Sequence, residues 1–406
     1  MIKRQSERKA DALKRVPVGT AGKICWYSGV ASLLLVAAMF LAGCTSGSRK
    51  VQDPAGTDSG LNRESDSLAV RAILDANGLS RIPIAEVSAS MDGEIRSFDA
   101  RGRSLKILPP DVCRLQHLEY LNLYDNALTE IPACIDQLKR LREADFGKNP
   151  LKTLPNEMTG LPLLETLRLE SLGLRSLPVG IGNMNRLVHL YLSENRIEKL
   201  PEGMGGLLSL STLDLTGNEL TNLPQSLSGL RKLSVLVLRR NRFQSMPRSA
   251  MLCRSLTYLS IGGNMISRFR PDSLGSERLI GLELSGNLLE GIPGGLGRLR
   301  GLRSLDLAHN RLRQLPEDVA SLSSLRELLL SGNLLDSLPT GVGAIIGLVR
   351  LEVDSNSLTR LPAGLPDLPG LTHVTLGGNR ICDPPDKVRA WADARNPAWD
   401  SSQTCP

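Results

Sequence analysis

Four histidines and seven cysteines are the side chains of this 406-residue sequence best suited to nucleophilic or metal chemistry. Such chemistry needs convergence: a nucleophile and its base within hydrogen-bond reach, or several metal ligands at short spacing. His117, His189, His309 and His373 are widely separated, and no CxxC or Cys/His cluster accompanies them. They read as surface residues, with no catalytic centre, no metal site and no cofactor. Cys25 and Cys44 lie in the N-terminal segment, which leaves Cys113, Cys134, Cys253, Cys382 and Cys405 further along the chain.

Nearly all of these residues are carried by one pattern. LVHLYLSENRIEKLP, residues 187–201, reads LxxLxLxxNxLxxLP, and its Asn slot recurs every 23 residues at 126, 149, 172, 195, 218, 241, 264, 287, 310, 333, 356 and 379. A degenerate copy, IRSFDARGRSLKILP, places Arg103 in the slot and completes thirteen units with no insertion or deletion. A period of this length means a solenoid. In LxLxxN the leucines alternate with other residues, as in a short strand with one buried and one wet face. The turn that follows buries backbone groups, which a small amide side chain can satisfy, so a column of asparagines can hydrogen-bond along the stack. Six residues after the slot stands Pro in twelve of the thirteen units, where its fixed φ suits the start of a return turn. Leu172 replaces the Asn in one unit and Arg270 displaces the Pro in another, so local irregularities are expected there. Glycine-rich return segments, such as those after Glu202 and Gly294, predict short or 3₁₀ turns in place of full helices.

Residues 92–385 resemble leucine-rich repeat proteins, specifically the 23-residue kind with Leu-Pro after the Asn found in Ras-suppressor-like and plant intracellular repeat proteins. The setting is similar to that of bacterial leucine-rich repeat lipoproteins. This implies an α/β horseshoe: a right-handed solenoid of thirteen repeats whose strands form a concave parallel sheet, capped at both ends.

The flanks are read in that light. Residues 1–44 have the order of an export signal, with a basic stretch, an apolar run from Val30 to Leu41, and then Leu41-Ala42-Gly43-Cys44. LAGC resembles the bacterial lipobox, which makes Cys44 the lipidated first residue of the mature chain and, with Thr45 after it, suggests sorting to the outer membrane in a diderm cell. Residues 45–65 are Ser-, Gly- and Asp-rich and read as a flexible tether. Residues 66–91 are expected to be an N-terminal helical cap, ending near Gly78. Residues 386–406 are expected to be the C-terminal cap, a helix that sets Val388 and Trp391 on one face. Cys382 and Cys405 bracket it and can be bridged in an exported compartment. Cys113 and Cys134, on adjacent return turns, could form a second bridge, and Cys253 reads as a small buried apolar residue.

The formal charge is +7, of which residues 1–43 carry +5, so nucleic-acid binding has no support in the composition. With core and turns taking the repeated positions, function falls to the variable strand positions. In the middle units these bring together His189, Tyr191, Asp214, Val235, Val237, Arg239 and Tyr258, an apolar centre with aromatic and arginine members of the kind enriched at interface hot spots. Tyr120 and Tyr124 near Arg101 are a second, smaller group. The expectation is a monomeric, membrane-anchored, non-enzymatic module that binds a protein, or a glycan, through its concave face. An envelope spacer without a specific ligand, or a cytosolic scaffold if the leader is misread, would use the same repeats.

Overall fold

A computed structural model describes residues 60–405. The segment read as an export leader, Cys44 and most of the segment read as a tether lie outside the described residues. The period expected from the sequence becomes a single fourteen-stranded sheet in strict chain order. The strands run from β1 (Ser88–Met91) and β2 (Glu94–Asp99) through β3 (Tyr120–Asn122) to β14 (His373–Thr375). From β2 onward every pair is parallel with a 23-residue offset, Leu190 facing Leu213 and Leu213 facing Leu236, so each leucine column stacks on itself. Those columns are the core: Leu190, Leu192, Leu213, Leu215, Leu236 and Leu238 are all fully buried.

The Asn column from Asn149 onward is buried with them, and its partners are backbone groups of its own coil and the preceding one, not other asparagines. Asn218 Nδ2 donates to the carbonyls of Leu192 at 2.9 Å and Leu215 at 3.0 Å, while its Oδ1 accepts the Ile197 amide at 3.0 Å. The same set repeats at Asn195, Asn241, Asn264 and onward. Where the preceding slot holds no Asn, the next one does more. Asn195 Oδ1 accepts the Leu172 amide at 3.1 Å as well as that of Leu174 at 3.0 Å, and Asn126 does the same for Arg103 and Leu105. The Leu172 unit is irregular as expected: the chain before it turns through Lys152 at φ 59° and donates from Lys152 to the Leu172 carbonyl. The residue before each slot is left-handed in all thirteen units, from Gly102 at φ 63° to Gly378 at φ 64°. Its seven non-glycine members are Asp, Lys, Ser, Glu, Arg, His and Ser, none of them β-branched, as that conformation requires.

Return segments are mostly short 3₁₀ turns with the column proline at their N-cap, as at Pro201 before Glu202–Gly206. Shorter turns follow Gly295 and Gly364, at Leu296–Arg298 and Leu365–Asp367, and the two turns beside Arg270 also depart from the pattern. The preceding turn is a short α-helix, Arg248–Leu252, and the next, Pro271–Ser273, is only three residues long because the proline has slipped inside it. Elsewhere the outer side is drawn in by glycine: a Cβ on Gly182 would lie 1.8 Å from the Gly203 carbonyl oxygen.

Both ends are covered. The N-terminal helix α1 spans Gly60–Ala76 and so begins six residues earlier than the expected cap, inside the segment read as tether. Gly60 and its polar neighbours offered no apolar period to mark that first turn. Buried Asp66 accepts the Ile95 amide at 2.9 Å and fixes α1 to β2. The cap is also not wholly helical. β1 pairs antiparallel with β2 through a tight turn at Asp92 and Gly93, both with positive φ. Asp-Gly flanked by extended residues is a strong hairpin signal that the helical reading passed over. At the other end the helix Asp386–Arg395 buries Val388 and Trp391, and Trp399 packs behind it. Disulfides join Cys382 to Cys405 and Cys113 to Cys134, and Cys253 is buried as a free thiol whose pKa burial pushes up to about 11.

Gly182→Ala should therefore lower unfolding stability by about 2 kcal/mol or more, since the added methyl meets backbone that cannot rotate away. Gly229→Ala, where no atom lies within 4 Å of the new Cβ, should be neutral or slightly stabilising in the same urea titration.

Candidate functional site

Alternation along each strand sends three side chains per coil outward, at six, four and two residues before the Asn slot. Over the thirteen coils these positions hold ten carboxylates against four arginines. The central column alone contains Asp99, Asp145, Asp214, Glu283, Asp306 and Glu352, with Arg168 as its single cation. Residues 44–406 together carry only +2, so folding gathers onto one face a negative charge that the composition conceals.

The seven residues expected at the site do sit on adjoining strands, in two groups with a gap between them. The first is on β6 (His189–Tyr191) and its neighbour β5 (Thr166–Arg168). The rings of His189 and Tyr191 lie nearly parallel with centroids 6.4 Å apart, and the Arg168 guanidinium covers Tyr191 at 4.4 Å from the ring centre. Burial, then the Arg168 charge, lowers the His189 pKa, so this imidazole is neutral at physiological pH. Beside Arg168 is Glu170, whose carboxyl is raised to about 7, first by burial and then by the Asp145 and Asp214 charges. Its Oε2 and the His189 Nδ1 are buried and have no hydrogen-bond partner.

The second group is organised by a residue that sequence reasoning left out of the site. Glu283, on β10 (Gly281–Glu283), is 1% exposed, forms an ion pair with Arg239, and accepts hydrogen bonds from Ser260 Oγ at 2.7 Å, Ser285 Oγ at 3.2 Å and Tyr258 OH at 3.3 Å. Two glycines make this possible. A Cβ on Gly281 would come within 2.6 Å of the Tyr258 ring, and one on Gly262 within 2.8 Å of Glu283 Oε1. Glycines at outward strand positions beside a carboxylate, one in its own coil and one in the coil before, were the signal available in the sequence. Arg239 and Tyr258 are thus held down against the sheet, not projected from it. Asp214, which accepts the Thr216 amide and hydroxyl, and the half-buried Val235 and Val237 lie between the two groups.

The smaller N-terminal group is also assembled. Asn122 donates to Tyr120 OH at 3.1 Å, Lys148 lies over the Tyr124 ring at 5.2 Å, and Arg101 pairs with Asp99 at 3.3 Å. His117 pairs with Glu94 and His373 with Glu352, each apart from the other histidines. Among the described residues no group of three or more His, Cys, Asp or Glu is placed to hold a metal ion.

Comparison with known proteins fits this geometry. Family models described as leucine-rich repeats match residues 117–138 and four overlapping windows, 185–243, 231–289, 254–312 and 277–335. A leucine-rich repeat protein of Leptospira interrogans is 30% identical, with a TM-score of 0.62 over 75% of this chain and 81% of that one. The chain belongs to the leucine-rich repeat family. The plant peptide hormone receptor RGFR1, solved in complex with RGF2, is 25% identical, with a TM-score of 0.55 over 73% of this chain, which spans 56% of the receptor chain. An internalin of Listeria monocytogenes shares the fold at 18% identity, with a TM-score of 0.59 over 76% of this chain and 94% of its own. No curated protein matches the chain.

Arg239→Ala should destabilise the fold by about 3 kcal/mol, because it leaves the buried Glu283 charge without its counter-ion; adding Glu283→Gln should recover most of the loss in urea unfolding. Glu170 works with the opposite sign. A carboxyl whose folded pKa is raised destabilises the charged state, fully above pH 7 and not at all below its ordinary value of 4.5. Glu170→Gln should then gain about 2 kcal/mol at pH 8 and nothing at pH 4, as read from unfolding curves at the two pH values.

Proposed function

We propose that the protein is a lipid-tethered, non-enzymatic binding module of the bacterial envelope that recognises a protein partner through its concave sheet. The repeat class suggested by the sequence, 23 residues with Leu-Pro after the Asn, and the LAGC lipobox belong to this reading. Acylation at Cys44 would hold the solenoid on a membrane, the outer one in a diderm cell, with the tether setting its distance. Attachment through two or more acyl chains is effectively permanent, at about 0.8 kcal/mol per buried CH₂.

The observation that carries the binding reading is the charge segregation. Ten carboxylates against four arginines gather on the outward strand positions, and although some of the carboxylates brace local turns, a spacer would need no such imbalance of sign. Burial first, and then the neighbouring Asp145 and Asp214 charges, raise the Glu170 pKa, and a partner bringing positive charge relieves the like-charge part of that cost. The site therefore suits a protein surface rich in Lys and Arg, with Tyr191 as an aromatic anchor and Val235 and Val237 as its apolar floor. A peptide-bound plant receptor among the similar structures supports the class of activity.

Two measurements test the reading. Mass spectrometry of the mature N-terminus should find acylated Cys44, and Cys44→Ser should release or misprocess the protein; an unmodified Met1 would refute the tether. A photo-crosslinking residue in place of Val237, introduced in cells, should capture a protein adduct. The same residue in place of Val179, which is 81% exposed on a return turn, should not. Equal capture from both positions would move the binding site off the concave face.

A further inference from the structure

Every coil passes from its return segment to its strand through a two-residue turn, at positions such as 231–232, 254–255 and 277–278. The parallel register repeats this turn on the same edge of the solenoid in each coil. The residues there are unlike those of the concave face. Arg186, Arg231, Lys232, Arg254, Arg278 and Arg300 occupy these turns and are all exposed, with Glu277 the one carboxylate among them. In the earlier coils Lys139 and Arg140 occupy the same turn but lie within ion-pair distance of Asp136 and Glu94. None of the six has a carboxylate within that distance among the described residues. At about 5 Å per coil they form a row of unpaired cations along one edge.

The same turns carry apolar side chains where water would be expected to select against them. Leu208 is 61% exposed and Ile346 75% exposed, and both occupy the first position of the turn. No aromatic residue stands in the turns from Arg186 to Ile346, so nothing there could stack on nucleic-acid bases. One edge combining unpaired arginines with exposed aliphatic tips matches a surface that is anionic at its face and apolar just beneath: phosphate headgroups attract the cations, and the acyl boundary receives the aliphatic side chains. A soluble polyanion would use the arginines and leave Leu208 and Ile346 in water.

We propose that this turn edge docks on the surface of an anionic lipid bilayer. The inference goes beyond the partner-binding reading and does not need the Cys44 anchor. It adds an orientation. The solenoid stands on its basic edge, and the acidic concave face, which an anionic membrane repels, is turned sideways and stays open to a partner.

Arginine footprinting of the full chain tests this without altering it. The chain is bound to vesicles of phosphatidylcholine alone or of phosphatidylcholine rich in phosphatidylglycerol, modified with phenylglyoxal, and mapped by peptide mass spectrometry. On the anionic vesicles Arg231, Arg254, Arg278 and Arg300 should react at least about fivefold more slowly, the scale expected of one cation at such a surface, and high salt should reverse the effect. Arg196 and Arg311, exposed beside the Asn slot, should react equally on both. Leu208→Ser together with Ile346→Ser should weaken the protection while leaving thermal unfolding unchanged. Equal rates on the two vesicle types, equal protection of Arg196 and Arg311, or stronger protection by soluble polyphosphate than by vesicles would each overturn the proposal. Because none of these readouts involves Val237 or Tyr191, their failure is separate from a failure of the concave-face reading.

Discussion

Each coil of this protein must bury the backbone of a turn with no regular ladder to receive it, and an Asn in eleven of the thirteen coils resolves that constraint, with Asn126 and Asn195 also serving the coils of Arg103 and Leu172. The amide supplies two donors and an acceptor from a side chain small enough to be sealed between leucines. Leaving such groups unpaired would cost about 1–3 kcal/mol apiece, comparable to the stability of a whole domain when summed over a dozen coils. The fixed 23-residue length follows from this. An inserted residue would move the Asn out of register with the carbonyls of Leu192 and Leu215 or their equivalents, and both its own coil and the preceding one would lose partners.

The same constraint leaves other positions free. Because leucines, Asn, Pro and the left-handed residue before the Asn meet the needs of folding, the outward strand positions and the two-residue turns can vary without loss of the coil. Variation there is sorted by sign: carboxylates collect on the concave sheet, and unpaired arginines on one edge. Glu283 is the point where these freedoms meet the core, a charge buried to 1% exposure yet fully bonded, with two glycines clearing the space around it.

Periodicity made the fold legible almost residue by residue. The strand positions, the buried leucines, the 3₁₀ return turns, the disturbance at Arg270 and the helix carrying Val388 and Trp391 could all be read from one sequence. What escaped was local or pairwise. The first turn of α1 lies in a polar stretch with no hydrophobic period, and the antiparallel strand β1 rests on a single Asp-Gly pair. Of the site, the strands and the side of the sheet were legible, because register alone sets them. The bonding within it was not: Arg239 and Tyr258 appear as projecting anchors until Glu283, two coils from Arg239, is seen to hold them down. Nor does the net charge of residues 44–406 hint at opposite charges on two surfaces, since they nearly cancel in the sum.

Whether the Asn column holds the coils together is decided most directly by amide hydrogen exchange on Asn218→Ala. That change removes the acceptor of the Ile197 amide and the donor to Leu192 and Leu215. Exchange should quicken most at Ile197 and next in the two coils that share the lost bonds, and should be little changed in the first and last repeats, since each coil touches only its neighbours. Unaltered exchange at Ile197, or the same acceleration in every repeat, would contradict the account.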